Sequence, residues 1–292
     1  MALRLSILYR GPLSGCNYDC AYCPFAKRVD DRKKLEDDAT ALRRFHDWVL
    51  GRTADQLKIL FTPWGEALTH NAYRQTLISL SRLAHVSRVA IQTNLSCSVE
   101  WMEELNRHTA SLWCSYHPGQ TPREAFLAKC ERMSALGVRY SVGAVGIVEN
   151  LNEVRALQLA LPPKVYFWIN AYKDAGPQYY SLADAAACRE IDPLFDINRE
   201  NYLSKGEPCA AGESSISLDG DGNIRRCHFI DDVIGNIYAD DLEKILHPRH
   251  CSRLKCDCHI GYVNLKKLDL DRHFDGWALG RVPTTRHGIS GT

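Results

Sequence analysis

The hydrophobic pattern of the first 170 residues alternates short β-rich runs with longer amphipathic stretches. Runs rich in Val, Ile, Leu and aromatic residues predict strands at residues 3–9, 57–61, 88–93, 111–116, 138–148 and 164–170. Apolar residues at helical spacing predict helices at 38–50, 72–84, 99–107, 123–136 and 151–159. Six strands that alternate with helices predict an α/β fold with a parallel sheet, either an open doubly wound sheet or a curved partial barrel.

The ends of the fourth predicted helix carry recognisable signals. Thr121 fits the N-cap, Pro122 fits the first helical position, and Gly137 fits the position just after the helix ends. These signals fix the boundaries that we expect for this element.

Beyond residue 170 long apolar elements become scarce. Residues 173–177 predict a loop, residues 240–246 a short helix, and residues 219–223 a glycine-rich turn between short strands at 215–218 and 224–227. A region with so little core usually needs a metal or disulfides to hold together. We therefore predict one domain at residues 1–185, a small second domain at 200–280, and a mobile tail at 281–292.

Composition and charge exclude several classes of protein. The 292 residues carry a net charge of +1, which gives no electrostatic reason to expect nucleic-acid or membrane-surface binding. Arg4 and Ser6 interrupt the apolar stretch that a signal peptide would need, and no run approaches the length of a membrane span. We expect a cytoplasmic protein, and in that reducing compartment an even number of cysteines favours metal or redox chemistry over disulfides.

The twelve cysteines are unevenly distributed, and three of them follow the first predicted strand. Cys16, Cys20 and Cys23 are close enough in sequence to converge on one metal centre. A structural zinc ion requires four ligands, whereas three cysteines on a four-iron cluster leave one iron open for another ligand. A zinc site completed by a distant residue, and a cysteine pair with an incidental third cysteine, are the alternatives.

This Cys-x3-Cys-x2-Cys loop, with Tyr22 just before its last cysteine, resembles the radical S-adenosylmethionine (SAM) enzyme superfamily. The resemblance implies a partial (β/α)6 TIM-like radical SAM barrel in which the three cysteines hold a [4Fe–4S] cluster. It also implies that SAM chelates the open iron and that Tyr22 lies against its adenine. After reduction by a donor such as flavodoxin or ferredoxin, SAM would be cleaved to a 5′-deoxyadenosyl radical that abstracts hydrogen from a substrate.

Residues at the ends of the following strands extend the resemblance. Trp64, Gly65 and Glu66 match the segment that receives the α-ammonium of SAM, although Trp64 and Ala67 stand where many members carry Gly and Pro. An ammonium has three donors and no acceptor, and a glycine lets backbone carbonyls approach it. The resemblance implies further SAM contacts at Thr93, Asn94, Ser115, Val145 and Gly146.

The second group of cysteines lies in the region with little core. Cys209 and Cys227 flank the glycine turn, and Cys251, Cys256 and Cys258 follow. This arrangement resembles the C-terminal SPASM extension, and more closely its shorter twitch form, which implies one auxiliary [4Fe–4S] cluster. Four ligands close a cluster, but the spacing leaves the choice among the last three cysteines open. A four-cysteine zinc site would stabilise the region equally well.

Of the four isolated cysteines, we expect Cys97, Cys130 and Cys188 to be buried in the core. The fourth, Cys114, differs from them in its position. Cys114 precedes Ser115 at a strand end, where a thiol could return a hydrogen atom to a substrate radical, as some radical epimerases do. Simple packing in the core is the alternative.

The sequence predicts a radical SAM enzyme that acts on a peptide, an amino-acid-derived compound or another small metabolite in a biosynthetic pathway. The chain reaches its first strand at once, so we expect no preceding domain that grips a leader peptide. A zinc-stapled binding or scaffold protein with a non-catalytic SAM-like site is the alternative function.

Overall fold

The computed structural model describes residues 2–23 and 28–283. The first six strands are β1 (Arg4–Arg10), β2 (Gln56–Phe61), β3 (Val86–Thr93), β4 (Ala110–Ser115), β5 (Arg139–Gly146) and β6 (Phe167–Ala171). The later strands are β7 (Tyr202–Leu203), β8 (Pro208–Cys209), β9 (Ser215–Asp219), β10 (Asn223–Arg225), β11 (Val233–Asn236), β12 (Arg249–His250) and β13 (Lys255–Cys256). The helices are α1 (Arg32–Gly51), α2 (Asn71–Ser81), α3 (Arg123–Ala135), α4 (Leu151–Ala160), α5 (Leu182–Ile191), α6 (Phe195–Arg199), α7 (Leu242–Ile245) and α8 (His259–Tyr262).

Nine strands form one mostly parallel sheet in the order β11-β10-β9-β1-β2-β3-β4-β5-β6. Strands β1 to β6 are parallel to their neighbours and follow one another in chain order, with Ile7 opposite Ile59 in β2. Their nearly continuous apolar sequence is typical of parallel strands covered on both faces. The six predicted strands and the α/β class are confirmed.

The two faces of the sheet are covered by different parts of the chain. Because side chains alternate along a strand, Ile7 and Tyr9 pack under α1, where Tyr9 stacks on Phe45 with ring centroids 4.5 Å apart. Leu8 and Trp113 point to the opposite face, which residues of the C-terminal region cover. The carboxyl ends of the strands therefore open between the sheet and this C-terminal cover.

The C-terminal region contributes three strands to the same sheet. β9 lies parallel to β1, and the antiparallel pair β9–β10 contains the predicted glycine turn, where Gly222 has a φ of +82°. This positive φ favours glycine. The short hairpin is confirmed, while the boundaries of two separate domains remain a prediction.

Several local predictions differ from the structure. Pro122 rather than Thr121 is the N-cap of α3, with no side-chain capping bond, while Gly137 lies just after the helix with a φ of +71°, as predicted. The predicted helix at 99–107 is a short 3-10 helix, Glu100–Glu104, and α5 and α6 were not predicted.

The first residue of the predicted tail is packed in the structure. Arg281 is 2% exposed and its Nη1 donates to Asn170 Oδ1 at 2.7 Å, so the chain is still packed there. The rest of that prediction, residues 284–292, lies outside the described residues. Of the helices in the described ranges, none combines the length and the apolar character needed to cross a membrane.

Candidate active site

A cavity of about 140 Å³ opens at the carboxyl ends of the first strands. It collects nine of the residues predicted from the sequence. These are Cys16, Cys20, Cys23, Trp64, Gly65, Glu66, Thr93, Asn94 and Ser115. Ligand-binding residues of parallel α/β folds concentrate at this edge of the sheet, which is the reason why separate loops meet here.

The loop that carries the first three cysteines is held by acidic side chains at and near α1. Asp30 accepts hydrogen bonds from the backbone N–H groups of Ser14 and Gly15 at 2.7 and 2.6 Å, and Asp38 accepts one from Leu13 at 3.1 Å. Burial raises the pKa of Asp38 to about 6. Burial acts in the same direction on Asp30, but its hydrogen bonds prevail and lower its pKa to about 2.

The three thiols of this loop influence one another and face polar donors. Burial raises the pKa of Cys20 to about 11, with smaller contributions from the neighbouring Cys23 and Cys16. Cys16 Sγ lies 3.5 Å from the backbone N–H of Tyr18 and 3.8 Å from Asn94 Nδ2. Donors of this kind tune the potential of iron–sulfur sites.

Close packing of the backbone requires Gly65. A Cβ atom there would lie 1.8 Å from the carbonyl oxygen of Gly15, and the next N–H, that of Glu66, donates to the same oxygen at 3.0 Å. The segment after β2 is therefore fixed against the loop that carries the cysteines. Only glycine fits at this position.

Glu66 has a positioning role that the sequence did not reveal. Its buried carboxylate accepts hydrogen bonds from Leu68 N at 3.1 Å, Thr93 Oγ1 at 2.7 Å and Asn94 N at 2.6 Å. Burial raises its pKa. The carboxylate thus ties the end of β2 to the end of β3, and most of its acceptor capacity is used within the protein.

Ser115 leaves a buried polar atom for a ligand. It is 6% exposed and lines the cavity, and its Oγ has no hydrogen-bond partner among the described residues. A buried hydroxyl without a partner costs free energy unless something in the site satisfies it.

The structure does not bring Cys114 or Gly146 to this cavity. Cys114 is fully buried in the core on the helix side of β4, where burial raises its pKa well above the ordinary value. This position agrees with core packing, the alternative to a hydrogen-atom donor, because adjacent strand residues point to opposite faces and Ser115 is the one that lines the cavity. Gly146 instead accepts a hydrogen bond from the hydroxyl of Tyr180 at 2.6 Å.

A larger cavity of about 370 Å³ adjoins the first one, and the predicted residues Tyr22 and Val145 line it. Arg10 and Gln92 line both cavities and so mark the junction between them. Neither residue was predicted from the sequence as part of the site, although each lies at or next to the carboxyl end of a strand, which was the available signal.

His117 connects the first cysteine loop to the end of β4. Its Nδ1 lies 2.8 Å from the hydroxyl oxygen of Tyr22 and 3.4 Å from Cys20 Sγ. Burial lowers the pKa of His117 to about 4, so the ring is neutral at pH 7. Tyr22 is therefore oriented by a neutral imidazole.

Four of the five later cysteines share one cluster of buried side chains. Cys209, Cys251 and Cys256 belong to this cluster, and Cys227 packs against it. Burial raises the pKa of Cys256 to about 12, with smaller contributions from the other later cysteines, Cys258 included. Cys258 is an exposed residue that lies outside the cluster and lines the larger cavity.

A buried cation lies beside this group of four. Arg226 is 8% exposed, and its Nη1 donates to the carbonyl of His250 at 2.6 Å. Its Nε and Nη2 have no partner in the described part of the chain. Thiolate ligands would supply the missing negative charge, so the donor set fits a thiolate-ligated metal centre.

In the ranges that the structure describes, no group of three or more His, Cys, Asp or Glu side chains is arranged to hold a metal ion.

Comparisons with known proteins give a fold but no family match. No protein-family model matches the chain, and no curated protein sequence does. The solved structure of native anSMEcpe with bound AdoMet aligns with a TM-score of 0.54 and 16% identity over 82% of this chain and 80% of that chain. Native anSMEcpe with bound AdoMet and Kp18Cys peptide aligns with a TM-score of 0.53 and 16% identity over 82% and 80%.

BtrN in complex with AdoMet and 2-DOIA aligns more loosely, with a TM-score of 0.44 and 16% identity over 85% of this chain and 84% of that chain. That score carries no conclusion about this protein. At 16% identity the anSMEcpe similarity concerns the fold alone. The chain therefore shares the α/β fold of anSMEcpe.

Proposed function

We propose that this protein is a radical SAM enzyme that reductively cleaves SAM and abstracts hydrogen from a substrate. One observation carries the proposal: three free cysteines and an unpartnered buried hydroxyl line the same cavity at the carboxyl ends of the strands. The shared fold with a structure that contains bound AdoMet supports it. When bound, the cluster and SAM supply a 5′-deoxyadenosyl radical.

In this proposal Cys16, Cys20 and Cys23 hold a [4Fe–4S] cluster and leave one iron for SAM. The cavity wall supports this set because an N–H donor already faces Cys16 Sγ and no disulfide engages the three thiols. Cysteine thiolates are the usual ligands of such clusters, and hydrogen bonds to sulfur adjust their potential.

The remaining wall of the smaller cavity binds and orients SAM. Gly65 keeps the backbone close to the cysteine loop, and the hydroxyl of Ser115 donates to a polar group of the ligand. Glu66 acts as a positioning residue, because it holds Thr93 and Asn94 in place rather than reaching freely into the cavity. Tyr22 and Val145 lie in the adjoining cavity, where they can flank the adenosyl group.

We further propose that Cys209, Cys227, Cys251 and Cys256 hold one auxiliary [4Fe–4S] cluster, with Arg226 as its buried counter-charge. Their place in one buried cluster supports this choice of four, whereas Cys258 lies outside that cluster and lines the larger cavity. Residues 200–280 then form a twitch-like extension on a partial (β/α)6 barrel of residues 1–185.

The larger cavity is the proposed substrate site because it adjoins the SAM site and lies under the C-terminal cover. Its size suits a peptide side chain, an amino-acid-derived compound or a small metabolite of a biosynthetic pathway. We expect a flavodoxin or ferredoxin as the electron donor and a cytoplasmic location.

The decisive experiment is anaerobic purification and reconstitution, followed by assays of iron, sulfide and zinc. Dithionite and SAM are then added and 5′-deoxyadenosine is measured. We expect about eight irons per chain, since two clusters of four are proposed, together with 5′-deoxyadenosine. Stoichiometric zinc without 5′-deoxyadenosine would instead identify a zinc-stapled binding protein. The Cys188→Ala variant, which removes a buried core thiol of α5, should retain all the iron.

A further inference from the structure

We propose that Arg10, Gln92 and Trp113 form a subsite that binds a carboxylate of the substrate. The subsite lies where the two cavities meet, on the wall of the larger one. This inference rests on the proposed function, because it assigns a chemical class to the substrate of the same site.

Arg10 is a largely enclosed cation without a carboxylate partner. Its Nη1 lies 2.9 Å from His228 Nε2 and its Nη2 donates to Thr62 Oγ1 at 3.2 Å, whereas its buried Nε has no partner among the described residues. Its guanidinium carbon lies 4.2 Å from the ring centre of Trp64. No Asp or Glu of the described ranges pairs with it, so the charge is left for a ligand to balance.

His228 does not supply that balance. An imidazole ring is neutral or positively charged, so it adds no negative charge in either form. Because a guanidinium only donates, the ring accepts the hydrogen bond from Arg10 through Nε2. Burial lowers the pKa of Arg10 to about 10, against an opposing contribution from Cys258, which leaves the guanidinium protonated at pH 7.

Two further donors on the same wall lack acceptors. Trp113 is 2% exposed and its indole N–H has no partner within the described part of the protein. The side-chain amide of Gln92 makes no hydrogen bond to any described residue, and an amide supplies two donors. A ligand that offers acceptors and negative charge satisfies this wall, and a carboxylate does both.

The other charged groups of the larger cavity leave this position to the ligand. Lys173 Nζ is already used, because it donates to the carbonyls of Glu200 and Asp257 at 2.8 and 2.5 Å. The acidic side chains that line the cavity, Asp174 and Asp257, belong to solvent-exposed residues. The carboxylates of the cavity therefore lie in solvent, and Cys258 is a titratable side chain of the cavity that interacts with Arg10.

The placement of Trp113 favours the substrate over SAM as the source of the carboxylate. Trp113 lines the larger cavity and Ser115 lines the smaller one. A carboxylate that uses both Arg10 and Trp113 must therefore lie in the proposed substrate cavity.

The test compares benzoate with the isosteric, uncharged benzamide. Both are titrated by calorimetry into the reconstituted, SAM-loaded protein. We expect benzoate to bind roughly tenfold more tightly, because a hydrogen bond to a charged group is worth at least that factor. The Arg10→Gln variant should abolish this preference, and Arg10→Lys should retain part of it. Arg44→Gln is the matched control, since that exposed arginine stacks on Tyr238 at 3.7 Å and should leave the preference unchanged.

Several results would overturn the subsite. They include equal or unmeasurable binding of the two probes to the native protein, and an unchanged preference in Arg10→Gln. If Arg10→Gln weakens SAM binding but not that of decarboxylated SAM, the carboxylate belongs to SAM. If the variant changes only the reduction potential of a cluster, Arg10 is a counter-charge for that cluster. In all variants 5′-deoxyadenosine is measured separately, so that its absence from the native protein refutes the proposed function and not the subsite.

Discussion

The two cysteine groups of this protein have the same chemistry but opposite surroundings. Cys16, Cys20 and Cys23 line a cavity and are held by a loop that acidic side chains and a glycine contact fix from outside. The four later cysteines are enclosed next to Arg226, in a region of short strands and turns.

In our proposal the first group of cysteines serves catalysis, whereas the second group stabilises the C-terminal region. Hydrogen bonds to Asp30 and the close contact at Gly65 fix the loop of the first group, and the cavity leaves it open to a ligand. The second group lies where two-residue strands provide little structure of their own, and a metal centre would supply the missing cohesion. Removing each group should therefore affect different properties.

Replacing all three cysteines of the first group with alanine should have the largest effect on activity. The Cys16→Ala/Cys20→Ala/Cys23→Ala variant should form no detectable 5′-deoxyadenosine but retain about four irons. Its melting temperature should stay near that of the native protein, because the loop is held by Asp30 and Asp38. Iron analysis, chromatography of the products and calorimetry check this. Loss of all the iron would show that the two groups are not independent.

Removing a thiol of the second group should reverse that result. Cys256→Ser should lose about four irons and destabilise the protein by several kcal/mol, because structural metal binding contributes directly to folding. Cys258→Ser, only two positions away, is the matched control and should keep its iron. Anaerobic iron analysis and thermal unfolding measure both effects. Equal iron loss in the two variants would contradict the assignment of four ligands and one spare cysteine.

Substitutions of Glu66 test whether hydrogen bonds within the protein position the walls of the first site. Glu66→Ala leaves Asn94 N, Leu68 N and Thr93 Oγ1 without their acceptor, which should cost about 1–3 kcal/mol for each buried donor left unpaired. We expect SAM affinity to fall at least about tenfold, with the auxiliary iron unchanged. Glu66→Gln keeps part of the acceptor set and should be intermediate. An unchanged dissociation constant for SAM in Glu66→Ala would refute the positioning role.

The sequence predicted the strands and the strand-end residues because buried parallel strands have a continuous apolar signature. It did not predict which adjacent side chain faces the cavity. Cys114 and Ser115 differ by one position, and the period of two along β4 places one in the core and the other at the site. Spacing alone does not resolve that choice unless the faces of the strand are known.

The C-terminal site was less predictable for a different reason. Cys251, Cys256 and Cys258 lie in turns and very short strands, where spacing does not determine direction. The position of Cys258 at the larger cavity, where its thiol interacts with Arg10 and Lys173, depends on tertiary packing. Similarly, Arg10 follows the predicted strand 3–9, and only the folded chain brings it to His228 and Trp64.

We expect the smallest of these effects from Asp38, whose carboxylate holds the loop of the first site from the side of α1. Its contribution to the free energy of unfolding should depend on pH. Burial raises its pKa from 3.8 to about 6, so the folded protein binds this proton more tightly than the unfolded chain does. The contribution of Asp38 to the free energy of unfolding is therefore largest below about pH 4, falls as the pH rises to about 6, and is constant above that.

Asp38→Asn should remove that fall while retaining an acceptor for Leu13 N and Tyr73 Oη. The difference in the free energy of unfolding between variant and native protein should grow between pH 4 and pH 6 in favour of the variant. It should reach at most roughly 3 kcal/mol, since each pKa unit corresponds to about 1.4 kcal/mol. Urea unfolding across this range measures the difference. If the free energies of unfolding of the two proteins change in parallel between pH 4 and pH 6, burial does not penalise the charged form of Asp38. The contact between Asp38 and the loop of the first site would then be independent of pH.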